Sequence, residues 1–176
     1  EFRRVLFRSL ENSWTFGAQT DEDVRKHRRS KVKFFCRDDN TAWIFDRFNA
    51  IGQSLNEQFY NFNLNGYESF QYTVYYGNDN GCYDWHMDMG LDGDPKNLMT
   101  QQTRKLTMVL MLNEPGVDFT GGEFEISMGD QNCPQNIEIA KGRIVCFPSY
   151  IIHRVKPVLT GIRKSIVIWV EGPKFV

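Results

Sequence analysis

The pattern of hydrophobic positions divides the chain into one helical segment followed by many short strands. Between Trp43 and Phe59, apolar residues recur at positions 44, 48, 51, 55 and 59, close to the period of an α-helix. Asp39, Asn40 or Thr41 can cap the start of this helix. Such a helix buries one face, so we expect it to pack on a sheet.

From position 68 onward, short apolar or alternating runs are separated by turn residues, which predicts strands. Turn signals rich in Gly, Asn, Asp and Pro occur at 77–81, 90–95 and 113–116. This succession predicts a mainly β domain with flanking helices, as a double-sheet barrel or sandwich of jelly-roll type. The predicted strands are 31–35, 70–76, 106–112, 122–126, 143–147, 151–155 and 163–170.

Three residues are candidate metal ligands. On an extended strand, residues two apart project to the same face, so His86 and Asp88 can offer an imidazole and a carboxylate to one ion. His153, in a later predicted strand, would complete the set. Two histidines and one carboxylate, with open positions left on the metal, are typical of non-haem Fe(II) oxygenases. A His-x-Asp pair alone is weak evidence, because it is often only a hydrogen-bonded pair.

A candidate anion clamp strengthens this interpretation. Arg163 follows His153 by ten residues, and Ser165 lies two further on, so one strand aims a guanidinium and a hydroxyl into one cavity. Arginine matches a carboxylate through two hydrogen bonds. The apolar run at 166–170 predicts a buried strand, where an unpaired charge would be costly.

Together these motifs resemble those of the 2-oxoglutarate and Fe(II)-dependent dioxygenases, in the prolyl-hydroxylase-like branch. The resemblance covers the chain from about Phe70 to Pro173. It implies a double-stranded β-helix, a form of jelly roll. The matching elements lie, in order, at 71–77, 83–88, 104–113, 121–123, 142–149, 153–158, 161–165 and 169.

The resemblance also implies roles for residues. His86, Asp88 and His153 ligate Fe(II), while Arg163 and Ser165 bind the distal carboxylate of 2-oxoglutarate. These assignments make the metal ligands the catalytic residues and the clamp the co-substrate site.

Tyr76 corresponds to a pocket tyrosine of the family, because it precedes His86 by ten residues, and Tyr72 and Tyr75 are close alternatives. Met111 departs from the family pattern, since some animal members carry a second tyrosine there. The packing around the co-substrate is therefore expected to differ at that point.

The implied activity is hydroxylation of a substrate with O2 and 2-oxoglutarate, releasing succinate and CO2, with ascorbate as reductant. A peptide or protein substrate, proline foremost, is favoured. The alternatives are a nucleic-acid or small-molecule dioxygenase and a non-catalytic binding module. The basic segment at 25–33 supports a groove for an acidic peptide or phosphate backbone, although a solvated turn is the preferred interpretation. Nucleic-acid demethylases of this fold carry a further arginine, which the run after Ser165 lacks.

Residues 1–9 resemble the in-frame translation of a sequencing adapter and are excluded from the fold prediction, so the natural start is unknown. Residues 10–176 are expected to form a single domain. Without the first nine residues the chain has 18 basic and 21 acidic side chains, a net charge of −3. That charge does not favour a nucleic-acid or membrane partner. No apolar run approaches the roughly 20 residues that cross a bilayer, and a cytoplasmic location is expected.

The four cysteines, at 36, 82, 133 and 146, show no Cys-x-x-Cys spacing. We expect free, buried thiols rather than disulfides or a zinc site.

The polar segment at 89–103 lacks periodicity and contains Gly90, Gly93 and Pro95. A long loop beside a metal ligand is often a lid, and a surface insertion is the alternative.

Overall fold

The computed structural model describes residues 10–13, 20–92 and 102–175. The adapter-like residues 1–9 and most of the candidate lid at 89–103 lie outside these ranges. The predictions made for them therefore stay predictions.

Two α-helices precede the main strands: α1 (Asp21–His27) and α2 (Ala42–Leu55), the second continuing through a π-helical turn (Asn56–Tyr60). The predicted helix at 43–59 is confirmed. Thr41 is its N-cap residue but makes no side-chain capping bond. The carboxylate of Asp38 instead accepts the backbone N–H of Thr41 at 2.9 Å. Within the described residues, neither helix has the length and apolar composition needed to span a bilayer.

The strands are β1 (Glu11–Asn12), β2 (Lys31–Cys36), β3 (Ser69–Tyr76), β4 (Tyr83–His86), β5 (Leu91–Asp92), β6 (Gln102–Met111), β7 (Phe119–Gly121), β8 (Phe124–Ser127), β9 (Gln135–Ile137), β10 (Ile144–Pro148), β11 (Ile152–Val155) and β12 (Val158–Pro173). They form two antiparallel sheets. The larger has the order β1-β2-β3-β12-β6-β10, with β5 paired to β6 and β7 to β12, and the smaller has the order β4-β11-β8-β9. This is the mainly β, jelly-roll architecture that the sequence predicts.

The larger sheet uses its two faces for different purposes. Ile44, Phe45 and Phe48 of α2 are buried against one face. Because side chains alternate along a strand, that face carries the even-numbered residues of the central strands, while the odd-numbered residues point towards the smaller sheet. The helix therefore closes the core, and the space between the sheets is left for the site. The even-numbered core residues are Phe70, Tyr72, Val74, Leu106, Met108, Ile166, Ile168 and Val170.

The cysteines are all free, as predicted, but their predicted burial is only partly right. Cys82 is buried and Cys146 half-buried, whereas Cys36 and Cys133 are exposed. Burial raises the pKa of the Cys146 thiol to about 11.

We expect Ile168→Ala to lower the free energy of unfolding by about 2–5 kcal/mol, because a fully buried side chain would leave a cavity under α2. Chemical denaturation followed by circular dichroism measures the loss. Leu159→Ala, an exposed position on the same strand, is the matched control and should change stability by less than about 0.5 kcal/mol. Equal losses in the two variants would contradict this account of the core.

Candidate metal centre

The structure brings the three predicted metal ligands together. His86 on β4 and His153 on β11 face each other as register partners in the smaller sheet, and Asp88 follows β4 by two residues. The Nε2 atoms of His86 and His153 lie 3.6 Å and 3.4 Å from the two carboxylate oxygens of Asp88. One ligand atom from each residue lies within 4.8 Å of the others. These residues can hold a metal ion on one face.

Backbone carbonyls fix which ring nitrogen of each histidine is available. His86 Nδ1 lies 2.7 Å from the carbonyl oxygen of Asp84, and His153 Nδ1 lies 2.9 Å from that of Ile151. A carbonyl oxygen can only accept, so each Nδ1 carries the proton. Both Nε2 lone pairs therefore remain free to bind a metal on the side that faces Asp88.

The Asp88 carboxylate is oriented by side chains from the larger sheet. The Thr107 hydroxyl donates to Asp88 Oδ2 at 3.0 Å, and it lies 3.0 Å from the hydroxyl of Ser149. The carbonyl of Ser149 also accepts the backbone N–H groups of Asp88 and Met89, at 3.0 and 2.9 Å. Thr107 and Ser149 are fully buried. Both fall within the matched motifs, but no sequence pattern connects them to a carboxylate.

The electrostatics of the site favour metal binding. Burial, together with the adjacent His153, lowers the pKa of His86 to about 3, so its ring is neutral at neutral pH. Burial alone would raise the pKa of Asp88, but the two imidazoles and the groups of Trp169 and Thr107 outweigh it and lower that pKa. A neutral imidazole beside an ionised carboxylate is the protonation state that a metal requires.

Aromatic rings surround both imidazoles. Phe147 and Phe124 lie with their ring centroids 4.8 Å and 5.5 Å from that of His153. Tyr83 stacks on His86 at 3.4 Å, with only 13° between the ring planes. These contacts restrict the orientation of each imidazole ring.

The candidate clamp residues point into the same cavity as the metal ligands. Arg163 is only 1% exposed, and its Nε donates to the carbonyl of Gly122 at 3.1 Å. Among the described residues, nothing accepts a hydrogen bond from its buried Nη2. Burial lowers the pKa of Arg163, although a guanidinium stays charged at any physiological pH. Ser165, also 1% exposed, lies two residues further along the same face of β12.

The buried Nη2 of Arg163, which has no acceptor among the described residues, indicates what kind of ligand the cavity fits. A buried charged donor without an acceptor is destabilising, so the cavity favours an anionic group that can accept its hydrogen bonds. A carboxylate accepts from arginine, and a neighbouring hydroxyl can donate to it. The far carboxylate of a dicarboxylic acid such as 2-oxoglutarate therefore fits these two residues.

Tyr75 lines this cavity together with Tyr83, whereas Tyr76 does not. Tyr75 is the register partner of Arg163, whose Cζ lies 5.3 Å from the tyrosine ring centroid. Tyr76 packs against the helix-side core, as does Tyr72. The prediction for Tyr76 is thus wrong. Consecutive residues of a strand point to opposite faces, and counting back from His86 across a turn does not show which face each tyrosine occupies.

The cavity includes residues that the sequence did not single out as functional. Gln71 and Trp169 line it from the larger sheet, and their odd numbers on β3 and β12 are the signal that could have found them. Arg28 also lines it and is 7% exposed. The interpretation of segment 25–33 as a solvated turn is therefore wrong for Arg28, although Arg25 and His27 are exposed.

The chain belongs to the 2OG-Fe(II) oxygenase superfamily, whose family model matches residues 70–171. The family resemblance inferred from the motifs is confirmed, and Fe(II) and 2-oxoglutarate are the cofactor and co-substrate of this family. The histidine, aspartate and histidine cluster described above lies within the matched range.

Curated relatives and solved structures agree with this assignment. The chain is 36% identical over 90 residues to a PKHD-type hydroxylase from Psychrobacter sp., covering 51% of this chain and 33% of that protein. It is 27% identical over 168 residues to one from Shewanella baltica, covering 90% of this chain and 67% of the relative. The chain thus spans a third of the first relative and about two thirds of the second.

Two solved structures share the fold. A prolyl-4-hydroxylase from Pseudomonas putida superposes with a TM-score of 0.69 at 18% identity, covering 98% of this chain and 82% of that one. A prolyl hydroxylase from Trichoplax adhaerens, solved with a peptide fragment of the hypoxia inducible factor oxygen degradation domain, has a TM-score of 0.69 at 20% identity. This match covers 96% of this chain and 73% of the Trichoplax adhaerens chain.

We expect His86→Ala, Asp88→Ala and His153→Ala each to weaken Fe(II) binding by more than about a hundredfold. Losing a residue that only hydrogen-bonds a metal ligand costs up to about a hundredfold in affinity, and losing the ligand itself should cost more. Anaerobic titration with Fe(II) measures the affinity, and circular dichroism checks the fold. His27→Ala, the third and exposed histidine, is the control and should bind normally. Stoichiometric iron in any of the three variants would remove that residue from the site.

Thr107→Val should weaken metal binding by about 10- to 100-fold, because Asp88 would lose the hydroxyl that orients it. The same titration measures the effect. Thr120→Val is the matched control, since the Thr120 hydroxyl is exposed and bonds only to Thr160 among the described groups. Unchanged affinity in Thr107→Val would show that the backbone alone positions Asp88.

Proposed function

We propose that this chain is an Fe(II)- and 2-oxoglutarate-dependent hydroxylase of a peptidyl side chain, most readily proline. The reaction consumes one O2 and one 2-oxoglutarate, adds a hydroxyl to the substrate and releases succinate and CO2. The observation that carries the proposal is a buried, partly unsatisfied Arg163 in the same cavity as a neutral-imidazole and carboxylate cluster.

The protein's part in this reaction is to bind and to orient. His86, Asp88 and His153 would hold the Fe(II) ion. Arg163 and Ser165 bind the far carboxylate of the co-substrate. When bound, Fe(II) supplies the oxidative chemistry, with ascorbate as the reductant that maintains its ferrous state.

The walls of the cavity protect that chemistry from water. Val109, Phe124, Val155 and Val167 line it between the two sheets, and most of this surface is apolar. A dry site strengthens the attraction between Arg163 and a carboxylate, because fewer water molecules compete for the charge.

Two considerations support a peptide substrate. The fold is that of prolyl hydroxylases, one of which was solved with a peptide fragment bound. The net charge of −1 disfavours a polyanion as substrate, since phosphate backbones bind through many lysine and arginine contacts. A nucleic-acid substrate remains the alternative that the experiment must include.

Arg163→Met should raise the 2-oxoglutarate concentration needed for half-maximal succinate formation by roughly ten- to a hundredfold. The reason is the loss of a charge-assisted hydrogen bond worth about 1.5–3 kcal/mol. Ser165→Ala should cost less, because it removes a neutral donor. Arg143→Met, an exposed arginine beside Glu138, is the control and should behave as the parent protein. Unchanged 2-oxoglutarate dependence in Arg163→Met would place the co-substrate elsewhere.

The substrate class is tested by offering proline-containing peptides and single-stranded oligonucleotides to the Fe(II)-loaded protein. Succinate release and the gain of one oxygen atom, seen by mass spectrometry, are the readouts. We expect oxygen to be added to peptides and to require 2-oxoglutarate. Preferential oxidation of the oligonucleotides would contradict the proposal, and so would succinate release that never depends on either substrate.

A further inference from the structure

Trp169 carries a buried hydrogen-bond donor at the metal cavity. Its side chain lines this cavity, yet its indole Nε1 is enclosed by protein and has no hydrogen-bond partner among the described residues. Within the same part of the chain, Nη2 of Arg163 is the other such donor in the cavity. The far carboxylate of 2-oxoglutarate accounts for Arg163, which lies six residues earlier on β12. A buried N–H without an acceptor is destabilising, so Trp169 needs an acceptor of its own.

The pairing of β12 with β6 places Trp169 beside the residue that orients Asp88. Trp169 is the register partner of Thr107, whose hydroxyl donates to Asp88 Oδ2 at 3.0 Å. Register partners on neighbouring strands project to the same face, with Cβ atoms about 4.5–5.5 Å apart. The indole and the hydroxyl therefore extend from adjacent positions into the cavity that Asp88 also lines.

The indole ring is restrained, and it lies close to the carboxylate. The Cζ atom of Arg104 lies 4.1 Å from the centroid of the Trp169 ring, so a cation–π contact covers one face of the ring. The nearby indole is one of the groups that lower the pKa of Asp88, although its N–H is not aligned for a hydrogen bond. Hydrogen bonds at active sites often tighten only when the ligands are bound.

We propose that Trp169 is a positioning residue for the metal, and that its indole N–H donates to the carboxylate of Asp88 when a metal ion is bound. One donor leaves a carboxylate free to rotate about that hydrogen bond, whereas the two donors of Thr107 and Trp169 fix its plane. Groups that hydrogen-bond a metal ligand typically contribute about 10- to 100-fold to metal affinity. This inference rests on the candidate metal centre and does not depend on which substrate is hydroxylated.

The first test observes the indole N–H itself. The chain has four tryptophans, so each indole ¹H–¹⁵N signal can be assigned by replacing one residue at a time. Zn(II) is a diamagnetic ion that binds imidazole and carboxylate ligands. Its addition should move the Trp169 indole proton signal downfield, as a new hydrogen bond to a carboxylate would. The Trp43 signal, from an exposed side chain on α2, is the control and should stay in place.

The second test measures metal affinity. Trp169→Phe removes the N–H and keeps an aromatic ring, so it should weaken Zn(II) and Fe(II) binding by about tenfold in anaerobic calorimetry. Trp43→Phe is the matched control and should bind as the parent protein. Because Trp169 and Thr107 act on one carboxylate, the loss in the double variant with Thr107→Val should differ from the sum of the single losses. Parent-like affinity in Trp169→Phe, or an equal loss in Trp43→Phe, would overturn the proposal.

These readouts separate the inference from the proposed function. If Zn(II) binding requires His86 but leaves the Trp169 signal unmoved, the metal centre stands and the role of Trp169 is wrong. If the Trp169 signal moves with Zn(II) but no peptide or oligonucleotide is ever oxidised, the positioning role stands and the hydroxylase is wrong. A signal that moves only after 2-oxoglutarate or a peptide is added would assign the N–H to that ligand and overturn the proposal. The signal is recorded on the parent protein, so this test holds even if Trp169→Phe does not fold.

Discussion

The site depends on the pairing register of β12. This strand lies between β3 and β6, and it places Ile166 and Ile168 in the helix-side core and Arg163 and Ser165 in the cavity. A shift of one residue would turn the arginine into the core beneath α2 and expose isoleucine to the cavity. The burial of large apolar side chains, worth roughly 1.5–3 kcal/mol each, therefore also fixes where the anion-binding group points.

The candidate metal site depends on both sheets. His86 and His153 belong to the smaller sheet, whereas Thr107, which orients Asp88, belongs to the larger one. Asp88 lies outside any strand and is held by the main chain at Ser149. The ligands consequently reach their common geometry only when the sheets are packed face to face. We therefore expect the candidate metal site to form only when the two sheets have packed together.

Much of this arrangement could be predicted from sequence, because it depends on the spacing of residues that are close together along the chain. The periods of helices and strands predict the helix at 43–59 and the alternating strands. The same periods place the His and Asp two residues apart on one face, and the arginine and serine on one face of a buried strand. The sequence could not supply facts that depend on three-dimensional closure. Arg28 is charged and lies in a basic run, yet its stacking on Tyr83 buries it. Tyr75 and Tyr76 lie on opposite faces of β3. Because a turn separates β3 from His86, the sequence does not show which of the two tyrosines faces the metal ligands.

The histidines and Asp88 are oriented by different kinds of hydrogen-bonding group, so the positions around them tolerate substitution differently. Each histidine is oriented by a main-chain carbonyl, at Asp84 and Ile151. Any residue supplies that oxygen, so substitutions at these two positions leave the imidazole tautomers intact as long as the strand path is kept. The orientation of Asp88 depends instead on the particular hydroxyl of Thr107. A homologue can therefore vary freely beside its histidines, while variation at the threonine requires another donor to take its place.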